Sequence, residues 1–291
     1  MNYGKTIDEK AYAKINLFLD VKARREDGFH DIKSIMQSVS LCDTVSISIT
    51  ENADDILTCN LQSIPLDGKN LAIKAANAFR EKLGINFGAR IHLEKRIPDA
   101  AGLGGGSSDA AAVLRALKAL TEIDVKEEKM LEIAASIGAD VPFCYIGGTM
   151  LAQGKGEHLS KMPACPSIHC VVAKKGEGVS TPKAYSMLDS KFGDFSKAGD
   201  GGRFDKLSIA LKNSDNGNIC SNLYNIFETV TEPVRPEIGN LKKIMTACGA
   251  IATLMSGSGP SVFGFFGDEN CAIEAVKSLS EYGAAAYYCT T

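Results

Sequence analysis

Three features of this chain carry residue types suited to chemistry: a cluster of glycine and serine, a lysine and an aspartate. Residues 97–112 read IPDAAGLGGGSSDAAA, four glycines and two serines leading into an alanine-rich stretch. Glycine costs backbone entropy on folding and offers no side chain to pack, so such a cluster implies that something approaches the backbone closely. A loop of this kind opening a helix presents N–H groups without helical partners at the positive end of the helix dipole, which suits a phosphate. The lysine of a P-loop and the strand–GxGxxG–helix context of a dinucleotide site are both missing, and the plain alternative is a tight turn with a Ser or Asp cap. Lys14, taken alone, would be a solvated lysine on a strand, and Asp140 of GADVPFC would cap a turn that Pro142 begins. With a phosphate loop the two form a minimum set for phosphoryl transfer. The carboxylate takes a hydroxyl proton; the cation stabilises the oxyanion and keeps the carboxylate ionised.

The elements that must position these residues can be read from periodicity. AYAKINLFLDV (residues 11–21) alternates, so Ala13, Ile15, Leu17, Leu19 and Val21 share one face of a strand while Lys14 and Asn16 project from the other. REDGFHD reads as a turn, and Ile32, Ile35, Met36 and Val39 then follow helical spacing. DTVSISIT alternates again as a strand. Asn70 is placed to cap a helix that runs to Leu83 and stops at Gly84. ARIHLEK is the next strand, and the glycine loop joins it to a helix over 109–120. A second helix is expected over 127–137, ended by Gly138 ahead of Asp140. The chain changes character near 160, and 189–217 is polar. Further helices are expected over 221–231, 237–247 and 269–282, with a second glycine–serine loop, MSGSGPS, between two apolar strands.

Composition narrows the class. The chain has 291 residues, 45% hydrophobic, and its 32 basic and 35 acidic residues leave a net charge of -3, which disfavours nucleic acid as a partner. Nine scattered cysteines without a CxxC pair suit reduced thiols in a cytoplasmic protein, and Cys165, His169 and Cys170 lack zinc spacing. The start has no secretory or transit character, and no apolar run reaches membrane-spanning length.

PDAAGLGGGSSDAA resembles the central motif of the GHMP kinase superfamily, which includes galactokinase and the homoserine, mevalonate and phosphomevalonate kinases. AYAKINLFLDV resembles its first motif and MSGSGPSVFGFF its third. DGFHDIKSIMQSVSLCD, GADVPFC, GVSTPKAY and SNLYNIFE are similar to one branch, whose acceptor alcohol is joined to cytidine diphosphate. The likeness runs in order over nearly the whole chain. It implies an α+β, two-domain GHMP kinase fold: an N-terminal domain like ribosomal protein S5 domain 2 over 1–160, and a ferredoxin-like C-terminal domain over 161–291.

The resemblance also implies roles. Lys14 and Asp140 would act at the acceptor hydroxyl, with Asn16 holding substrate. Pro98, Gly102, Leu103, Gly104, Gly105, Gly106, Ser107 and Ser108 would form the nucleotide-phosphate loop, and Gly257 and Gly259 would close near phosphates and substrate. In the family's DGYH segment the ring stacks on cytosine and the histidine meets its polar edge. Here the pair is Phe29 and His30, which keeps the ring and loses the hydroxyl, with Tyr185 as the opposing aromatic. ATP is the implied donor, with Mg²⁺; the superfamily's usual serine matches Ser108, but no acidic ligand can be assigned. The implied partner is a small molecule, with no nucleic acid or membrane, and oligomeric state is not indicated. Two rivals stay open. Another GHMP kinase such as homoserine kinase needs no aromatic clamp, and a nucleotide-binding regulator without catalysis needs no base.

Overall fold

Alternation along the first motif and the turn at Gly28, whose φ is +82°, fold the start of the chain into two long strands. The structure, a computed structural model, describes residues 1–52, 54–195 and 199–291. Numbered along the chain, its first elements are β1 (Thr6–Arg24), β2 (His30–Thr50), β3 (Ile56–Cys59), α1 (Leu71–Leu83), β4 (Gly88–Glu94), α2 (Gly105–Thr121), α3 (Glu127–Ile137), α4 (Val141–Ile146), β5 (Thr149–Gly154) and β6 (His158–Lys161). They are followed by β7 (His169–Lys174), α5 (Thr181–Phe192), α6 (Arg203–Lys212), α7 (Asn216–Ser221), β8 (Tyr224–Asn225), α8 (Glu228–Thr231), α9 (Pro236–Ala247), β9 (Ala252–Met255), β10 (Val262–Phe266), α10 (Glu269–Glu281) and β11 (Ala285–Thr290).

Contacts group the chain into two units that interleave in sequence. The first comprises Met1–Ala13, Cys42–Asp99 and Gly104–Gly147. Its strand order is β3–β4–β2–β1, with β3 parallel to β4 and β4 antiparallel to β2, Ile47 facing Ile91. Asn70 Oδ1 accepts the Ala72 N–H at 2.9 Å to start α1, and Gly84, at φ 64°, ends it. Ala110, Ala111, Ala112 and Ala116 of α2 are fully buried in one core with Ala72, Ala75, Ala76 and Phe79 of α1 and Val45, Ile47 and Ile49 of β2. The small side chains let α2 sit close among its neighbours, and a helix buried on nearly every side needs this apolar composition.

The second unit comprises Lys14–Leu41, Ala100–Leu103 and Gly148–Thr291. Its four-stranded antiparallel sheet has the order β11–β7–β10–β9, the ferredoxin-like arrangement in which the first strand in sequence lies between the last and the third. α9 and α10 pack on it, burying Ile238, Leu241 and Met245 with Ala272, Ala275 and Leu279. Elsewhere in this unit β5 pairs antiparallel with β2 and β8 pairs parallel with β1.

Three expectations are corrected. Residues 32–39 are strand, within β2, because pairing with β5 on one side and β1 on the other outweighs helical spacing in a run rich in Ile, Ser and Val. The segment 221–231 is not one helix: α7 ends at Ser221, and Tyr224 and Asn225 form β8 opposite Phe18 and Leu19 before α8 begins. The helix expected from Asp109 begins at Gly105, so the end of the glycine loop is already its first turn. All nine cysteines are free thiols, and no helix among the described residues is long and apolar enough to cross a membrane.

Candidate active site

Lys14 and Asn16 share a face of β1, as the alternation predicts, but that face is covered: they are 5% and 3% exposed. Lys14 Nζ donates to Asn16 Oδ1 at 2.9 Å, and the same oxygen accepts the Gly257 N–H at 3.1 Å. Asn16 Nδ2 donates to Ser34 Oγ at 2.9 Å, and that hydroxyl donates to the Phe18 carbonyl at 2.7 Å. Lys14 is therefore no solvated lysine. Asn16 spends its amide on orienting the ammonium and on tying the third-motif loop to the first motif.

The glycine loop answers the question its composition raises, in part with the protein's own backbone. At Gly102, φ 73°, a Cβ would lie 2.5 Å from the Ser256 carbonyl oxygen, and Ser256 Oγ donates to the Gly102 carbonyl at 3.1 Å. Gly257, at φ 58°, packs back against Gly102, and a Cβ on Gly259 would meet Met255 Sδ at 2.7 Å. The Leu103 carbonyl accepts the Lys14 N–H at 2.9 Å, which sets the loop beside the first motif. Gly104, at φ 71°, turns the chain into α2, whose first turn carries no acidic side chain. Gly106 is exposed, Gly105 and Ser107 are half-buried, and Pro98 precedes them half-buried. The N–H groups of that turn lie at the positive end of a 17-residue helix.

Asp140 is half-buried at the N-cap position of α4 with Pro142 in the first turn, but its carboxylate makes no capping hydrogen bond. Capping is thus not what the carboxylate does.

The aromatic residues are arranged differently from a bare pair of facing rings. Tyr185 of α5 stacks on His30, with centroids 4.5 Å apart and planes 18° apart, and meets Phe227 edge-on. Asp189, one turn further along α5, has Oδ1 2.7 Å from His30 Nε2. Phe29 is 58% exposed, with Lys155 Nζ 4.7 Å from its ring centroid.

The residues present do not fit a resident metal ion. Ser108 is buried and its hydroxyl donates to the Tyr12 carbonyl, with Cys144 Sγ at 3.3 Å. Among the described residues no group of three His, Cys, Asp or Glu could hold a metal.

Asn225 and Ser34 were not singled out by sequence reasoning. Asn225 Nδ2 donates to the Met255 and Gly257 carbonyls at 2.7 and 2.8 Å, bracing the third-motif loop from β8. The available signal was a buried-type polar residue within apolar SNLYNIFE, hidden by reading that segment as helix.

Residues 70–148 match the family described as GHMP kinases N terminal domain, and residues 207–285 match GHMP kinases C terminal. Proteins named 4-diphosphocytidyl-2-C-methyl-D-erythritol kinase from Caldicellulosiruptor bescii and Exiguobacterium sibiricum are 43% and 45% identical, over 94% of this chain and 94% of theirs. The crystal structure of a 4-(cytidine 5'-diphospho)-2C-methyl-D-erythritol kinase, 34% identical, superposes with a TM-score of 0.81 over 98% of each chain. A homoserine kinase from Cytophaga hutchinsonii, 20% identical, shares the fold, with a TM-score of 0.80 over 100% of this chain and 96% of its own. The chain belongs to the GHMP kinases, ATP-dependent enzymes acting on small molecules, and among them to the family of the 4-diphosphocytidyl-2-C-methyl-D-erythritol kinases.

Proposed function

We propose that this kinase transfers the γ-phosphoryl group of ATP to the 2-hydroxyl of 4-diphosphocytidyl-2-C-methyl-D-erythritol, a step in making isoprenoid precursors in the cytoplasm. The observation that carries the reading is Lys14 held by Asn16, with the glycine loop's Leu103 on its own backbone N–H. A kinase needs a fixed cation next to its phosphate cradle, and a binding module does not.

In this reading the N–H groups of residues 104–107 hold the phosphates. Asp140 accepts the proton of the substrate hydroxyl as its oxygen bonds to the γ-phosphorus, and the bond to the ADP oxygen breaks. Lys14 offsets the negative charge on the attacking oxygen. His30, Tyr185 and Phe29 form the surface for the cytosine, with Tyr185 already fixed by its stack on His30. Magnesium, where it enters with ATP, would offset charge on the phosphates. A net charge of -3 disfavours nucleic acid as a partner.

The test is a coupled ADP-release assay offering the cytidylyl substrate, homoserine and mevalonate side by side. Turnover of the first and not of the others is expected; preference for homoserine would assign the chain to another branch of the superfamily.

A further inference from the structure

The start of the phosphate loop is held by side chains. Beyond β4 the backbone of Lys95 is bound on both sides by one amide: Asn60 Oδ1 accepts the Lys95 N–H at 2.9 Å and Asn60 Nδ2 donates to its carbonyl at 3.2 Å. Asp43 of β2 then takes the next two residues, its Oδ1 accepting from Arg96 N at 2.5 Å and Ile97 N at 2.8 Å. The other Asp43 oxygen pairs with Lys95 Nζ, and that ammonium also pairs with Asp109 Oδ2 at 2.5 Å. Asp109 lies in α2 just after the glycine loop. The Lys95, Asp43 and Asp109 side chains are 3%, 0% and 4% exposed. A Cβ on Gly105 would come 3.2 Å from Ile97 and 3.5 Å from Lys95 Nζ, so the helix's first residue is packed onto the same group.

Loop start and loop end, 14 residues apart, thus meet on one buried ammonium. The trio holds two carboxylates for one cation. Asp43 carries its charge on two backbone N–H groups as well as Lys95, whereas Asp109 Oδ1 is buried without a hydrogen-bond partner. Two carboxyl groups and a lysine in a site this dry cost more in desolvation than an apolar core of equal volume, so stability alone does not account for them.

We propose that Asp43, Lys95 and Asp109, with Asn60, form a buried ionic clasp that closes the phosphate loop and thereby sets the affinity for ATP. They are positioning residues: they touch the loop's backbone and its helix, and the loop touches the nucleotide. The proposal rests on the reading of residues 102–108 as the phosphate site. Because the N–H groups must converge on the phosphate oxygens to within about 0.5 Å, releasing one end of the loop weakens nucleotide binding before it disturbs anything else.

The test is steady-state kinetics at about pH 8 on Asp109→Asn and Asn60→Ala, with Gly104→Val as the reference for the loop itself. Asp109→Asn should raise KM for ATP roughly tenfold and Asn60→Ala a few-fold, with KM for the alcohol substrate within about twofold of the parent. Unchanged ATP constants in both variants, with Gly104→Val raising the constant, would overturn the clasp and leave the loop reading intact. An unchanged ATP constant in Gly104→Val would overturn both. Equal weakening of the two substrates together with a lower melting temperature would make the trio a general stability element and also refute the proposal. If Asp109→Asn does not fold, Asn60→Ala decides alone, since Asn60 lies on the surface.

Discussion

At the scale of single residues, the two groups assigned to the chemistry lie in different elements. Lys14 is fixed by a buried amide that is itself fixed by Ser34 and Gly257. Asp140 stands at the junction between Gly138, which closes α3, and α4. Asparagine is nearly isosteric with aspartate and accepts no proton, so Asp140→Asn tests the base without disturbing packing. Turnover should fall by at least about 100-fold with KM for ATP near the parent value, as stopped or coupled assays can show. Turnover within a few-fold of the parent would remove Asp140 from the mechanism.

Among the elements, α5 combines two jobs on one face. Tyr185 and Asp189 are four residues apart, so both reach His30, one by stacking and one through its ring nitrogen. Deleting the tyrosine ring removes a stacking surface worth about 1 to 3 kcal/mol to a bound base. Tyr185→Ala should therefore raise KM for the cytidylyl substrate roughly tenfold or more while leaving that for ATP within about twofold. Tyr185→Phe should be mild, because stacking tolerates either ring. An alanine variant with unchanged substrate kinetics would detach α5 from base recognition.

For the molecule as a whole, the buried trio couples folding to pH. Burial pushes the Asp109 carboxyl up to about 7, and Lys95 opposes this only in part because Asp43 competes for it. Lys95 is raised as well: burial disfavours its charge, but the two carboxylates outweigh that. Asp109 is the group that keeps the proton: its Oδ1 is buried without a hydrogen-bond partner, and Lys95 does not offset the cost of burying its charge. Between about pH 4 and pH 7 the folded state keeps a proton that the unfolded chain has released. This contribution is fully present below about pH 4 and is lost as pH rises through about 7. Melting temperature followed by circular dichroism should thus fall more steeply from about pH 5 to pH 8 in the parent than in Asp109→Asn, where the residue cannot titrate. Parallel curves for the two proteins would show that the proton lies elsewhere.

Local sequence was sufficient wherever the deciding interactions are themselves local. Alternation in β1, the Asn70 cap, the Gly84 stop and the end of α3 before Gly138 each depend on residues a few positions apart, so spacing and residue type determine them. The glycine loop stands out for the same reason, as a string whose glycines mark close backbone approach, which the structure shows between Gly102 and Ser256. Tertiary structure decided the rest. Residues 32–39 become strand because β5, more than 110 residues later, pairs with them. Tyr224 and Asn225 become strand because β1 offers an edge. Asp43, Asn60 and Lys95 look like surface polar residues in sequence, and only the fold brings them to Asp109, since an ion pair across 52 or 14 residues leaves no periodicity in the chain.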